Sequence, residues 1–370
     1  MHFGFALFKY FPFGGLQRDM LAIARACIER GHRVTVFCGE WEGEQPDDIA
    51  VWEVPVSGIT NHARDRAFAE ALPGQVKASG VERLVGFNKM PGLDIYYAAD
   101  SCFAAKVYEE RGRLYRCLPR ARQYLAMEQA VFSPAVATRS LLISEPEKAV
   151  YQHYYKTPDE RLQLLPPGIR RDRIMPADYT DRRQALRQRF GWQDDETIVL
   201  FVGSGFRTKG LDRAIRAFAE LWQSGVKSRL LILGKDRSDR FEKLAGNLNV
   251  SAQVHFLGGV EAVSDYLWAG DVLLHPAYRE NTGTVLLEAM VAGLPVVTTD
   301  ACGYARYVSE QKMGAVINKP FSQLQLNAAL REIAQAPAEP WRERGRVFAA
   351  SADIFSMPQR AAEFLEIEHD

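Results

Sequence analysis

The feature that most restricts this chain is a repeated alternation of short apolar runs with stretches of helical periodicity. Runs at residues 2–8, 33–38, 49–56, 83–87 and 140–144 form one series. A second series lies at residues 197–203, 229–234, 253–258, 271–277 and 295–299. Each run has the length of a strand and lacks the polar alternation of a half-exposed sheet. Strands buried on both faces and separated by helices are the signature of βαβ units and parallel sheets. The helical stretches agree: Leu211, Ala214, Ile215, Phe218, Leu221 and Trp222 fall at i, i+3, i+4, i+7 spacing and predict one core-facing stripe. At 370 residues the chain exceeds what a single core serves well. Pro166, Pro167 and Gly168 between the two series mark a boundary. The expectation is therefore an α/β protein of two Rossmann-like, doubly wound domains: residues 1–166, residues 167–350, and a C-terminal helix within 351–370 that returns to the first domain.

Composition narrows the function classes. Lys plus Arg and Asp plus Glu both number 46, so the net charge of zero argues against a dedicated nucleic-acid binder. The cysteines are Cys27, Cys38, Cys102, Cys117 and Cys302, an odd set with no C-x-x-C, which predicts reduced thiols rather than a disulfide framework or zinc site. The apolar N-terminal run has no basic leader and no small-residue cleavage site, and no stretch is long enough to span a bilayer. A cytoplasmic protein is expected, at most touching a membrane.

Doubly wound domains bind ligands at the carboxyl ends of their strands, so the chemistry is sought in the βα turns. Within HPAYRENTGTVLLEAMVAGLPVVTTD (residues 275–300), a strand is followed by a turn at 278–283 and then an apolar helix. Backbone N–H groups of Gly283, Thr284 and Val285 at that helix N-terminus suit an anion. Glu280 before the terminus and Glu288 inside the helix suit hydroxyls, Glu288 as acceptor of both bonds of a ribose diol. Glu288 interrupts an apolar run, where an unpaired carboxylate is costly. A second turn, GSGFRTKGLDRA (203–214), offers Arg207 and Lys209 to a diphosphate; its Lys-Gly order fails the P-loop fingerprint. A third turn places Gly14 and Gly15 before a helix, without the G-x-G-x-x-G of dinucleotide dehydrogenases.

Together these residues resemble the retaining glycosyltransferases of the GT-B fold, family 4, whose E-x7-E motif is met by Glu280 and Glu288. Within that family the chain is similar to the lipopolysaccharide core glucosyltransferases that place the first outer-core glucose on heptose. The strings that carry this are FKYFPFGGLQRD (8–19), WEG (41–43), NHAR (61–64), GFNKMPGLD (86–94), YYAAD (96–100) and LLPPGI (164–169). The resemblance implies two domains facing a central cleft, UDP-glucose as donor, and α transfer with retention. It further implies Glu288 on ribose, Glu280 on the hexose, Lys209 and Arg173 on the diphosphate, and Asp100 near the anomeric centre. Gly14, Gly15 and Asp19 join the donor site from the first domain. No D-x-D triplet occurs, so no metal is expected, and fixed cations with helix N-termini would carry the leaving-group charge. Val260 and Thr208 stand where relatives often have arginine.

A lipid-linked, heptose-containing acceptor requires a surface for anionic headgroups. Residues 106–124 carry Lys106, Arg111, Arg113, Arg116, Arg120 and Arg122 against Glu109 and Glu110, interleaved with Tyr108, Tyr115 and Tyr124. Arg113, Arg116 and Arg120 are expected on one helical face, kinked or broken at Pro119. Such a segment suits peripheral contact with the cytoplasmic face of the inner membrane. Asn88 and Lys89 are candidates for acceptor phosphate, and His275 reads as a structural strand-end histidine. Two rival readings share the fold: a UDP-sugar epimerase and a non-catalytic nucleotide-sugar-binding module.

Overall fold

The computed structural model describes residues 1–12 and 14–367; Phe13 of the third turn and the last three residues of the tail lie outside the described residues. The chain divides into two units, one of Met1–Gly168 with the stretch from Phe355 onward, the other Ile169–Ile354.

The first unit holds β1 (His2–Leu7), β2 (Arg33–Cys38), β3 (Ala50–Glu53), β4 (Arg83–Gly86), β5 (Ile95–Ala98), β6 (Arg139–Leu142) and β7 (Leu162–Leu164). Their order is β3-β2-β1-β4-β5-β6-β7, and every pairing is parallel. The second unit holds β8 (Thr197–Val202), β9 (Ser228–Leu233), β10 (Val254–Gly258), β11 (Val272–His275), β12 (Val296–Thr299) and β13 (Gly314–Ile317). Their order is β10-β9-β8-β11-β12-β13, again parallel throughout. The order reverses between β1 and β4 in one sheet and between β8 and β11 in the other. These are the two switch points at which such sheets bind ligands. Strands β5, β7 and β13 are absent from the two apolar series. Each has only three or four residues.

The helix Leu211–Gln223 buries Leu211, Ala214, Ile215, Phe218 and Leu221 on the second sheet, with Trp222 packed at the edge of the same core. In the first unit the helix Met357–Glu366 packs Met357, Ala361, Ala362 and Leu365 among Met20, Ile23, Ala24 and Leu165. Arg30 and His32 hold Glu366 at its end, at 2.6 Å and 2.7 Å.

Residues 106–124 do not form the helical face expected for Arg113, Arg116 and Arg120. Lys106–Glu110 is a π turn, Tyr115–Cys117 a 3-10 turn, and a helix begins at Pro119. Proline at a first helical position gives up a donor that has no intrahelical partner anyway, so Pro119 starts the helix rather than kinking it. Arg113, Arg116 and Arg120 therefore lie on three different local structures and share no helical face. They are all exposed, as are Arg111, Arg122, Leu114 and Leu118, while Tyr115 is half-buried.

One buried carboxylate ties this region down. Glu128, fully buried, accepts from the backbone N–H of Phe103 at 2.7 Å and of Ala104 at 2.8 Å, and from the Tyr155 hydroxyl at 2.8 Å. Its ion pair is with Lys89, whose ammonium also donates to the Ser101 carbonyl at 3.0 Å. Burial alone would raise the Glu128 pKa, but Lys89 and the two backbone donors hold it below the usual range. Lys89 is thus committed to an internal ion pair. Asn88 accepts from the Phe8 N–H at 2.8 Å, joining the loops after β1 and β4.

Candidate functional site

In the second unit two loops meet at the switch point, one after β8 and one after β11. Gly210 makes the meeting possible: its φ is +76°, and a Cβ there would stand 2.1 Å from the Pro276 carbonyl oxygen. The Thr208 carbonyl accepts the Tyr278 N–H at 2.8 Å, fastening one loop to the other. Arg213 secures the outer side, with its guanidinium 3.5 Å from the Tyr278 ring centre and 3.6 Å from that of Phe321. The sequence departure at Thr208 thus leaves the backbone contact intact.

This docking brings Lys209 and Glu280 into direct ion-pair contact. His275, at the carboxyl end of β11, places Nε2 3.6 Å from the same carboxylate oxygen, beyond hydrogen-bond distance. Burial pushes the Glu280 carboxyl up, yet the Lys209 ammonium in contact with it more than offsets this and holds the pKa at about 2. Burial also lowers His275, which is fully enclosed and therefore neutral near pH 7. Neither of its ring nitrogens has a hydrogen-bond partner. The sequence predicts a structural strand-end histidine, and His275 does end β11. The structure puts it against the candidate site, and the available signal was its place at a strand's carboxyl end, before Glu280.

Beyond Glu280 the backbone crosses to the next loop. Glu280 N–H donates to the Ala301 carbonyl at 3.1 Å, and Tyr304 N–H to that of Thr282 at 2.7 Å. Gly283 then adopts φ +82°, a left-handed conformation that glycine takes at little cost, and the helix Thr284–Val291 begins. The first turn of that helix carries the N–H groups of Thr284 and Val285, which no intrahelical carbonyl can satisfy. Glu288 is buried within it, 6% exposed. Its partner is Arg173, Nε to Oε1 at 3.7 Å; Arg173 is itself buried and donates to the Ser264 hydroxyl. The cost of a carboxylate inside an apolar helix is thus offset by an arginine from a 3-10 turn, Arg171–Arg173. Arg207 is exposed on its turn, and Val260 is half-buried after β10.

The remaining predicted donor residues belong to the first unit. Gly14 is the N-cap and Gly15 the first residue of the helix Gly15–Glu29 that follows β1. Among the described residues nothing lies within 4 Å of a Cβ added at Gly15, whereas one added at Gly14 would stand 1.8 Å from Gln17 Oε1. Asp19 accepts from the Tyr97 hydroxyl of β5 at 2.9 Å. Asp100, exposed just beyond β5, accepts the Tyr151 hydroxyl on its backbone carbonyl at 2.9 Å. All four sit at the carboxyl edge of the first sheet. Among the described residues no cluster of three or more His, Cys, Asp or Glu is placed to hold a metal.

Comparison with known proteins gives the family. Residues 13–173 match the model of Glycosyltransferase Family 4, and residues 182–347 that of Glycosyl transferases group 1. The chain is 44% identical to lipopolysaccharide glucosyltransferase WaaG of Escherichia coli K12, over 98% of this chain and 97% of that one. The chain belongs to the family 4 glycosyltransferases. As a member of this family it has the GT-B fold, and a crystal structure of WaaG superposes with a TM-score of 0.94 over 98% of this chain and 99% of that chain. The fold alone is shared with Anabaena HepE, solved in complex with UDP-glucose, at a TM-score of 0.74 and 17% identity, covering 99% of each chain. A D-inositol 3-phosphate glycosyltransferase of Streptomyces scabiei is 30% identical over 62% of this chain and 54% of its own length. In this glycosyltransferase Lys209 and Glu280 meet at the second switch point, and Glu288 of the helix that follows pairs with Arg173.

Proposed function

We propose that this glycosyltransferase moves glucose from UDP-glucose to an inner-core heptose of lipopolysaccharide, with retention, forming an α linkage without a metal ion. The observation that carries the reading is that Lys209 pairs with Glu280 where the loops after β8 and β11 meet, while Glu288, one turn into the helix that follows, pairs with Arg173. Two carboxylates next to a helix N-terminus make chemical sense if they grip hydroxyls while cations and N–H groups grip phosphate. The similarity to WaaG along nearly the whole chain supports the acceptor class.

The charge pairs are preformed, and this reading gives them a use. A diphosphate arriving at the helix N-terminus draws the Lys209 ammonium toward itself. The Glu280 carboxylate is then released to accept the hexose hydroxyls, and Glu288 the ribose diol. In the transfer, the bond from the glucose anomeric carbon to the β-phosphate oxygen breaks and its electron pair leaves with UDP. The acceptor hydroxyl oxygen bonds that carbon on the same face, and its proton passes to the departing phosphate oxygen. Lys209, Arg207 and the N–H groups of Gly283, Thr284 and Val285 stabilise the charge that develops. Asp100 is the catalytic candidate of the first unit, and Gly14, Gly15 and Asp19 are its candidate donor contacts. The exposed group of Arg111, Arg113, Arg116, Arg120 and Arg122, with Tyr108, Leu114 and Leu118 exposed among them, supports docking on the cytoplasmic face of the inner membrane. No helix among the described residues is long and apolar enough to cross a membrane.

UDP release from a panel of UDP-sugars tests the reading, with heptose-terminated truncated lipopolysaccharide as acceptor. UDP-glucose should be consumed only with acceptor present, chelator should leave the rate unchanged, and the product linkage should be α. Sugar epimerisation without acceptor, or UDP-glucose binding with no UDP release, would refute it.

A further inference from the structure

A cavity of about 270 Å³ opens at the carboxyl ends of β1, β2 and β3 in the first unit. Phe8 and Lys9 enter it from the loop after β1, and Glu40 from the loop after β2. Asn61, Arg64 and Asp65 line it from the helix Asn61–Ser79, and Tyr124 from the helix that starts at Pro119.

The charges in the cavity balance. Glu40 is held between Lys9 at 3.0 Å and Arg64 at 3.2 Å, while Asp65 accepts the Tyr124 hydroxyl at 2.7 Å. Two cations therefore face two carboxylates, with an amide and a phenol beside them and an apolar floor where Phe8 packs edge-on against Phe68 at 5.7 Å. A phosphate site would carry excess positive charge. A balanced set of donors and acceptors over an apolar floor instead fits a neutral polyhydroxylated ring, which offers hydroxyls around its rim and C–H groups on its face. Burial holds the Asp65 carboxyl above its usual range, so hydroxyl donors from a ligand would be well used there.

The cavity also adjoins the exposed basic segment. Arg120, one of its arginines, lies 5.8 Å from the centre of the Tyr124 ring, and Gln123 donates to the His62 carbonyl, locking the two walls together. A substrate tethered to a membrane would present its sugars at this point.

We infer that this cavity is an acceptor subsite that binds a neutral sugar ring of the lipid-anchored acceptor through Arg64, Asp65 and Asn61, while any phosphate of the acceptor binds elsewhere. The inference rests on the acceptor reading proposed above.

The test measures initial rates with the full chain and O-deacylated, heptose-terminated core oligosaccharide, with and without its phosphates, and UDP affinity by calorimetry. Asp65→Asn and Arg64→Gln should each raise the acceptor KM about ten- to a hundredfold, the worth of one charge-assisted hydrogen bond. UDP affinity should stay at the parental value, and the KM ratio of variant to parent should be the same for both forms of acceptor. Asn61→Trp, at an exposed rim position whose substitution spares the core, should raise KM by narrowing the mouth, which covers the case of a charge variant that fails to fold. An acceptor KM within about twofold of the parent in the folded variants overturns the subsite. A KM effect seen only with phosphorylated acceptor overturns the assignment to a neutral ring. Parental protein that transfers nothing to either acceptor overturns the acceptor reading itself, a failure visible before any variant is made.

Discussion

Glu280 and Glu288 share a motif but not an environment, and their substitutions should separate. Glu288 faces a buried arginine, so the conservative change is Glu288→Gln, which avoids leaving Arg173 beside an empty space. It should weaken UDP itself by about 1.5–3 kcal/mol, because the proposed contact is to ribose. Glu280→Gln should leave UDP affinity near parental and lower turnover, since its proposed partner is the sugar. Calorimetry with UDP and steady-state rates distinguish the two outcomes. The depressed pKa of Glu280 carries a second expectation. A carboxylate whose folded pKa is about 2 stabilises the fold above its ordinary pKa and loses that contribution as pH falls through the folded value. Removing the cation in Lys209→Met should move the Glu280 pKa back up, so less stabilisation remains and the acid-unfolding midpoint shifts to higher pH. A circular-dichroism titration downward from about pH 6 reads this directly, and an unchanged midpoint would show that Lys209 does not hold the carboxylate.

At the scale of the element, residues 106–124 show composition and conformation parting company. The basic and aromatic content was readable in the chain, whereas the π turn, the 3-10 turn and the helix start at Pro119 were not. Local propensity is weak over such short stretches, and the buried Glu128 organises the region by accepting two backbone donors from residues twenty-odd positions away. Tyr124 also departs from expectation: it turns inward to Asp65 instead of joining Tyr108 on the exposed surface. Membrane docking does not require a common helical face, only exposed charge. Replacing Arg113, Arg116 and Arg120 together by Gln should therefore remove about 3 kcal/mol of affinity for anionic vesicles, at about 1 kcal/mol for each. Sedimentation with vesicles of graded anionic content should show the loss, which should shrink as salt rises. Equal binding of parent and triple variant would make the segment an ordinary solvated surface.

For the whole molecule, the C-terminal stretch belongs to the first unit although the second unit separates it in sequence. Leu365 is fully buried beside the helix Gly15–Glu29. Leu365→Ala should cost the first unit about 2–5 kcal/mol, the usual range for a truncated core leucine. Differential scanning calorimetry should show one transition displaced downward, while the transition that UDP stabilises stays in place. A uniform shift of both would mean that the units melt as one.

What the sequence determined by itself was local and periodic. Parallel βαβ order follows from apolar runs and helical stripes, and the βα turns follow from contiguous residues such as Gly283 with Thr284 or Lys209 with Gly210. The E-x7-E pair could be placed on a turn and a helix because both positions lie within one such unit. Tertiary structure decided who faces whom. Lys209 meets Glu280 across 71 positions only because β8 and β11 are neighbours at the switch point. Arg173 reaches Glu288 because the 3-10 turn that carries it is held against Ser264 and Trp268, and packing around the end of β11 encloses His275 beside Glu280. A lysine, an arginine and a histidine each have many equally good partners along an unfolded chain. Close packing of two loops over Gly210 leaves one, and burial there, by raising the cost of any charge left unpaired, makes that choice matter.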